Sequence, residues 1–155
     1  MTETGLDVPF VPTPKPIVRR MLSLAGTRPG ETLIDLGAGD GRIVITAASE
    51  YGAKALGVEL HPERYDIIRN SVPSLKPNLH ALRQNFFKTD LSNADIVTMY
   101  LLPSVNDALR KKLERELHSG ARVVTHDFSI REWTPTRVEI IEGSLGLHAV
   151  YLYEI

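Results

Sequence analysis

The chain has 155 residues, a formal net charge of −1 and no cysteine. At this length one domain with one ordinary core is expected, burying about 70% of the unfolded chain's surface. The balanced charge gives no electrostatic reason to expect nucleic acid or an acidic membrane as a partner, and the lack of cysteine excludes disulfides, thiolate metal sites and cysteine nucleophiles. Residues 1–16 read as a proline-rich arm. Four of the ten prolines fall between Pro9 and Pro16, so this segment is neither helix interior nor central strand. The opening residues lack the charged and apolar regions of a signal peptide, and no apolar run approaches the ~20 residues of a membrane span. A soluble, cytoplasmic chain is expected. From Ile17 the pattern turns helical, with Val18, Met21, Leu22 and Ala25 on one face. Gly26, Pro29 and Gly30 end that helix. Thr32–Leu36 reads as the first strand, followed by a glycine loop and a helix over Arg42–Tyr51. A second strand is expected over Ala53–Leu60. Pro62 suits the first position of the next helix, which is expected to stop by Pro73. Strands follow over Leu79–Phe86 and Asp95–Leu101. Ser104 and Asp107 read as a capping pair opening a helix to about Leu117, with Gly120 beyond it. Ala121–Phe128 is the fifth strand. Arg137–Ile141 and His148–Tyr153 form a closing hairpin around EGSLG. Alternating strands and helices imply an α/β fold, with a mostly parallel sheet, helices on both faces and a C-terminal antiparallel hairpin. In such sheets ligands sit outside the carboxyl ends of the strands, where strand order reverses.

The strongest local signal is LIDLGAGDGRIVITAA, Leu33 to Ala48. Glycines 37, 39 and 41 follow a strand and open a helix, so backbone can approach a ligand and the helix N-terminus offers free N–H groups. A dinucleotide fingerprint needs glycine where this chain has Arg42, and a phosphate loop needs a G-K-[ST] ending that is absent. The spacing D-x-G-x-G-x-G, with Asp35 two residues before Gly37, resembles motif I of class I S-adenosylmethionine (SAM) methyltransferases. SAM carries an ammonium and a sulfonium but no phosphate, so an acid beside the loop suits it. Glu59, about 20 residues on at the end of the second strand, is placed to accept hydrogen bonds from ribose hydroxyls, as in NAD enzymes too. Leu60 is expected to pack on adenine. In QNFF, Asn85 can accept from the adenine amino group and the Phe86 backbone can meet a ring nitrogen. Many methyltransferases have Asp at the Asn85 position, but an amide oxygen accepts equally well. Phe87 reads as core.

In order along the chain come VPFVPTP, DLGAGDGRIVITAA, GVEL, NFF, YLLPSVN, KLERELHSGARVV and HDFSIREWTP. Over about residues 8–153 this resembles the small archaeal and bacterial protein-lysine methyltransferases, relatives of the mitochondrial enzymes acting on ATP synthase subunit c and the adenine nucleotide translocase. The resemblance implies a seven-stranded Rossmann-like class I methyltransferase fold, SAM as cofactor and proteins presenting exposed lysine as substrates. It implies broad substrate tolerance; the charge balance and the lack of a long apolar run give the expectation of no nucleic-acid or membrane partner, and a monomer is expected. A T-P entering the first helix, here Thr13 and Pro14, meets the SAM carboxylate in several methyltransferases, so the arm is expected to be a lid over the cofactor. Its plainer role is packing, through Val8, Phe10 and Val11.

Methyl transfer to lysine needs alignment and a neutral amine, whose unperturbed pKa is about 10.4. At the fourth strand's exit, Tyr100 is a candidate to orient the amine and Pro103 to border it. At the fifth strand's exit, His126 is a candidate proton acceptor. Asp127 and Phe128 are candidate substrate contacts, and Trp133, the only Trp, is a candidate wall of a lysine channel by cation–π contact or, equally, a core residue. No metal is expected. The chain lacks the acid or amide followed by Pro-Pro with which amino-DNA methyltransferases hold a base. Rival readings are a methyltransferase of small-molecule or nucleic-acid amines and a SAM-binding module without catalysis.

Overall fold

The computed structural model describes residues 10–155; Val8 and the rest of the first nine residues lie outside the described part. One seven-stranded sheet runs in the order β3-β2-β1-β4-β5-β7-β6. The strands are β1 (Thr32–Leu36), β2 (Lys54–Val58), β3 (Leu79–Leu82), β4 (Ile96–Met99), β5 (Arg122–His126), β6 (Arg137–Gly143) and β7 (Gly146–Glu154). β1 to β5 are parallel, and the β6–β7 hairpin joins β5 antiparallel. The chain steps outward from β1 to β3, then returns to place β4 on the other side of β1. That reversal opens a crevice at the carboxyl ends of β1 and β4.

The helices are α1 (Lys15–Leu24), α2 (Arg42–Tyr51), α3 (Pro62–Leu75) and α4 (Pro103–Glu116). Successive strand residues point to opposite faces, and neighbours in β1 divide accordingly. Leu33 packs with Ile17, Met21, Val44 and Ile68 of α1, α2 and α3. Ile34 packs with Val105, Leu109 and Leu113 of α4. Helices therefore cover both faces, three to one. β4, Ile-Val-Thr-Met, is buried throughout, as a central parallel strand must be. On the sheet's outer edge, Val138 and Ile140 of β6 and Leu147 of β7 are exposed.

Several boundaries differ from expectation. α4 begins at Pro103 with Leu102 as N-cap and no side-chain cap, because a proline at N1 sets φ without losing a needed donor. The expected Ser104–Asp107 cap is therefore not formed; Asp107 instead accepts from Arg110 and Arg131. α3 continues two residues past Pro73. β3 stops at Leu82, and Phe86–Lys88 form a single 3₁₀ turn capped by the Asn85 side chain. The hairpin strands extend to Gly143 and from Gly146, leaving only Ser144 and Leu145 in the turn.

Candidate active site

The crevice is built on the glycine loop. Between β1 and α2 the chain turns through Gly37, Gly39 and Gly41, with φ of 78°, 60° and 84°, a region L-residues avoid. The N–H groups of Gly37 and Ala38 both donate to the Val58 carbonyl, at 3.0 and 2.9 Å. This ties the loop to the end of β2. Glu59, the first residue past β2, braces the same loop: Oε1 accepts from the Gly39 N–H at 2.7 Å and Oε2 from the His61 N–H at 2.9 Å. Each oxygen keeps a second lone pair, which a ribose hydroxyl can use.

Asp35 lines the crevice yet is only 3% exposed. Its Oδ1 accepts from the Thr98 hydroxyl at 2.9 Å. Burial pushes its carboxyl up to about 7, opposed by the Thr98 bond and reinforced by the nearby Glu59 and Asp40 charges. Asp40 stays below the ordinary carboxylate range: burial works against this, but Arg42 outweighs it. Three carboxylates thus converge on one crevice. The cations there are Arg42, whose guanidinium pairs with Asp40 at 2.7 Å and donates to the Thr13 carbonyl at 3.1 Å, and Arg64 beside Glu59. Neither arginine was singled out in the sequence. Arg42 occupies the place where a dinucleotide loop has glycine, a departure that could have flagged it.

The described part of the arm borders the same crevice. Phe10 lies so close to the glycine loop that a Cβ on Gly39 would meet its Cε1 at 2.5 Å. Arg64 sits over the Phe10 ring, 5.0 Å from its centroid. Beneath this cover the free cavity is about 70 Å³. Thr13 is buried, and its Oγ1 lies 3.1 Å from His126 Nδ1.

Of the expected cofactor residues, Thr13, Asp35, Gly37, Gly39, Glu59, Leu60 and Phe86 share this crevice. Asn85 stands apart from its lining. Its Oδ1 accepts from the Phe87 N–H at 2.9 Å, which shapes the turn that presents Phe86. Phe87 packs against the core on the α4 side of the sheet. Tyr100 lines the crevice. Its ring lies against His126, centroids 4.0 Å apart, and stacks toward Phe128 at 6.2 Å. Burial raises the Tyr100 hydroxyl, so it stays protonated. His126 is fully buried, and burial pushes its imidazole down to about 4, against the pull of Asp127. Both its nitrogens are occupied: Nδ1 by Thr13 and Nε2 by His148 Nδ1 at 2.9 Å. Pro103 is exposed at the first turn of α4. Trp133 is not brought to the crevice. It packs edge-on against Tyr153, centroids 5.5 Å apart, under a separate hollow near Glu114 and Glu154.

This arrangement can take a cationic ligand bearing a ribose. Residues 35–137 match the model of the ANTKMT methyltransferase domain family. The chain belongs to this family. It is 46% identical to a protein-lysine N-methyltransferase of Saccharolobus islandicus, over 96% of this chain and 94% of the relative. It is 38% identical to the adenine nucleotide translocase lysine N-methyltransferase of Mus musculus, over 97% of this chain but 64% of the mouse protein, so it spans less than two thirds of that relative. The crystal structure of an RNA methyltransferase from Salinibacter ruber, in complex with S-adenosyl-L-homocysteine, superposes with a TM-score of 0.88 at 42% identity, covering 94% of each chain. The ANTKMT-family chain is thus a methyltransferase with the class I, Rossmann-like fold, and its sheet order, crevice and glycine loop follow from that fold.

Proposed function

We propose that this chain transfers the methyl group of SAM to lysine side-chain amines of proteins. One observation carries the reading. A similarity of 46% identity over 96% of the chain to a protein-lysine methyltransferase of Saccharolobus islandicus coincides with a crevice that gathers Asp35, Gly37, Gly39, Glu59 and Tyr100. The three carboxylates suit a ligand with an ammonium and a sulfonium, and Arg42 and the α2 N-terminus, which border the crevice, suit its carboxylate. Glu59 holds the ribose; Leu60 and Phe86 flank the adenine, with Asn85 shaping the adenine end.

The reaction is a displacement: the lysine nitrogen's lone pair forms a bond to the methyl carbon as the carbon–sulfur bond breaks. The products are methyl-lysine and S-adenosylhomocysteine, and the amine must be neutral to start. The chain supplies alignment and an apolar approach past Tyr100 and Phe128, which favours the uncharged amine. His126, with both nitrogens engaged, serves as a link behind Tyr100 rather than as an open base facing the amine. Asp127 lies outside the crevice lining, its Oδ1 accepting from the Ala149 N–H, so it acts on the acceptor side only through its neighbours His126 and Phe128.

The arm acts as a lid. The cavity under Phe10 is far smaller than the roughly 300–1,000 Å³ of sites for small molecules and cofactors, so Phe10 shifts to admit SAM and then closes on it. The short connections leave few recognition loops, in keeping with a single cytoplasmic domain, monomeric and tolerant of many protein substrates. Among the described residues, no helix is long and apolar enough to cross a membrane.

The test is mass spectrometry of a mixed protein substrate incubated with the purified chain and methyl-labelled SAM. Label on lysines of several proteins supports the proposal. A second reading, methylation of RNA, is favoured by the Salinibacter ruber neighbour. Label in RNA and none on protein would establish it instead.

A further inference from the structure

Behind the crevice lies a cluster of two imidazoles and a carboxylate that takes no direct part in methyl transfer. His126 ends β5, Asp127 follows it, and His148 comes from β7. The ladder sets His126 opposite Val150, so His148, two residues away, points to the same sheet face. His126 Nε2 and His148 Nδ1 are 2.9 Å apart, and Asp127 Oδ2 lies 3.5 and 3.9 Å from them. Three donor atoms on a tetrahedral zinc, each at about 2.0–2.1 Å, are separated by about 3.3–3.4 Å. The observed triangle brackets that spacing.

The surroundings complete the chemistry. His126 Nδ1 faces the Thr13 hydroxyl, the outer partner that fixes a metal-bound imidazole and leaves its other nitrogen's lone pair free. Asp127 is held at φ 62°. Its N–H donates to the Ala149 carbonyl, and its Oδ1 accepts from the Ala149 N–H at 3.0 Å. Oδ2 is thereby left for the imidazoles. His126 is buried, while the His148 and Asp127 side chains are 12% and 29% exposed. The cluster therefore has access to solvent through His148 and Asp127. Two nitrogens and one carboxylate suit zinc, cobalt or nickel better than magnesium or calcium.

We propose that His126, Asp127 and His148 form a binding site for a divalent transition metal of the zinc class. On binding, the His126–His148 hydrogen bond is exchanged for two nitrogen–metal bonds. Each imidazole keeps one proton, on His126 Nδ1 and on His148 Nε2, and the carboxylate offsets one charge of the ion. Thr13 then accepts from His126 and keeps its own hydrogen for the cofactor crevice, so one hydroxyl joins the two sites.

The experiment uses the full chain without a histidine tag, stripped with chelator and titrated calorimetrically with zinc. One site per chain is expected, weakened at least tenfold in both His148→Gln and Asp127→Asn. Cobalt gives an optical check: tetrahedral absorption bands in the parent chain that are lost in either variant. Melting curves show that each variant is folded, and excess zinc raises the melting temperature of the parent chain alone. Zinc binding of equal affinity in the parent and both folded variants, or no binding by the parent, overturns the proposal.

Discussion

The buried acid at the end of β1 makes the strongest prediction. Asp35→Asn preserves shape and the acceptor for Thr98 but removes the titration. Burial lifts Asp35 to about 7 from the ordinary 3.8, so over that window the folded chain holds a proton the unfolded chain has lost. The stabilisation is therefore full below about pH 4 and is lost as pH rises through about 7. The shift of about three pKa units is worth on the order of 4 kcal/mol across that window. A bound sulfonium and ammonium act in the other direction by favouring the carboxylate, so cofactor binding expels the proton. If the bound carboxylate returns near its ordinary range, affinity rises roughly tenfold between about pH 6 and pH 8. Titration calorimetry with SAM, in buffers of different ionisation enthalpy, reads both the affinity and the proton released. Titration of SAM itself is common to both proteins, so the difference in slope belongs to Asp35. Equal pH slopes for the parent chain and Asp35→Asn would refute the reasoning.

Other residues give further tests. Thr13→Ala should weaken SAM binding, while Phe10→Ala should speed cofactor entry and release; stopped-flow binding separates the two, and unchanged rates in Phe10→Ala would remove the lid. Glu59→Gln turns one backbone-facing oxygen into a donor against the N–H of Gly39 or His61. A loss of about 1–3 kcal/mol in stability is expected, together with weaker SAM binding, by melting and calorimetry. Gly57→Ala would place a Cβ 3.1 Å from Val44 Cγ2, 3.2 Å from Ala38 and 3.3 Å from Ile68. Overpacking of this kind costs about 1–3 kcal/mol, visible as a melting temperature lower by about 2–4 °C per kcal/mol.

What the sequence revealed depended on how local the cause was. β1 and α2 lie where the residue pattern puts them, because the strand, the glycines and the amphipathic face are all encoded within twenty residues. The glycine loop and Glu59 were legible for the same reason: their partners flank one βαβ unit. The start of α4 was misread because two signals competed, and Pro103 prevailed while Asp107 was taken by two arginines. Trp133 was legible as core or channel; only the position of Tyr153, twenty residues on, decides for the core. Thr13 and His126 are 113 residues apart, and His126 meets His148 only through the antiparallel register of β5 and β7. No local pattern carries such a contact.

The position of β1 and β4 has a consequence for how the molecule breathes. Both are paired on either side and sealed on both faces, whereas β6 is paired on one side and exposes Val138 and Ile140. Amide exchange should therefore run inward from the hairpin, with the amides of β1 and β4 among the last to exchange. The glycine loop hangs from the slow end of that gradient, whereas Asp127, at the end of β5, is tied to the hairpin through Ala149 of β7. Fluctuations that unzip the outer hairpin can remodel the acceptor side while the cofactor half of the crevice stays intact.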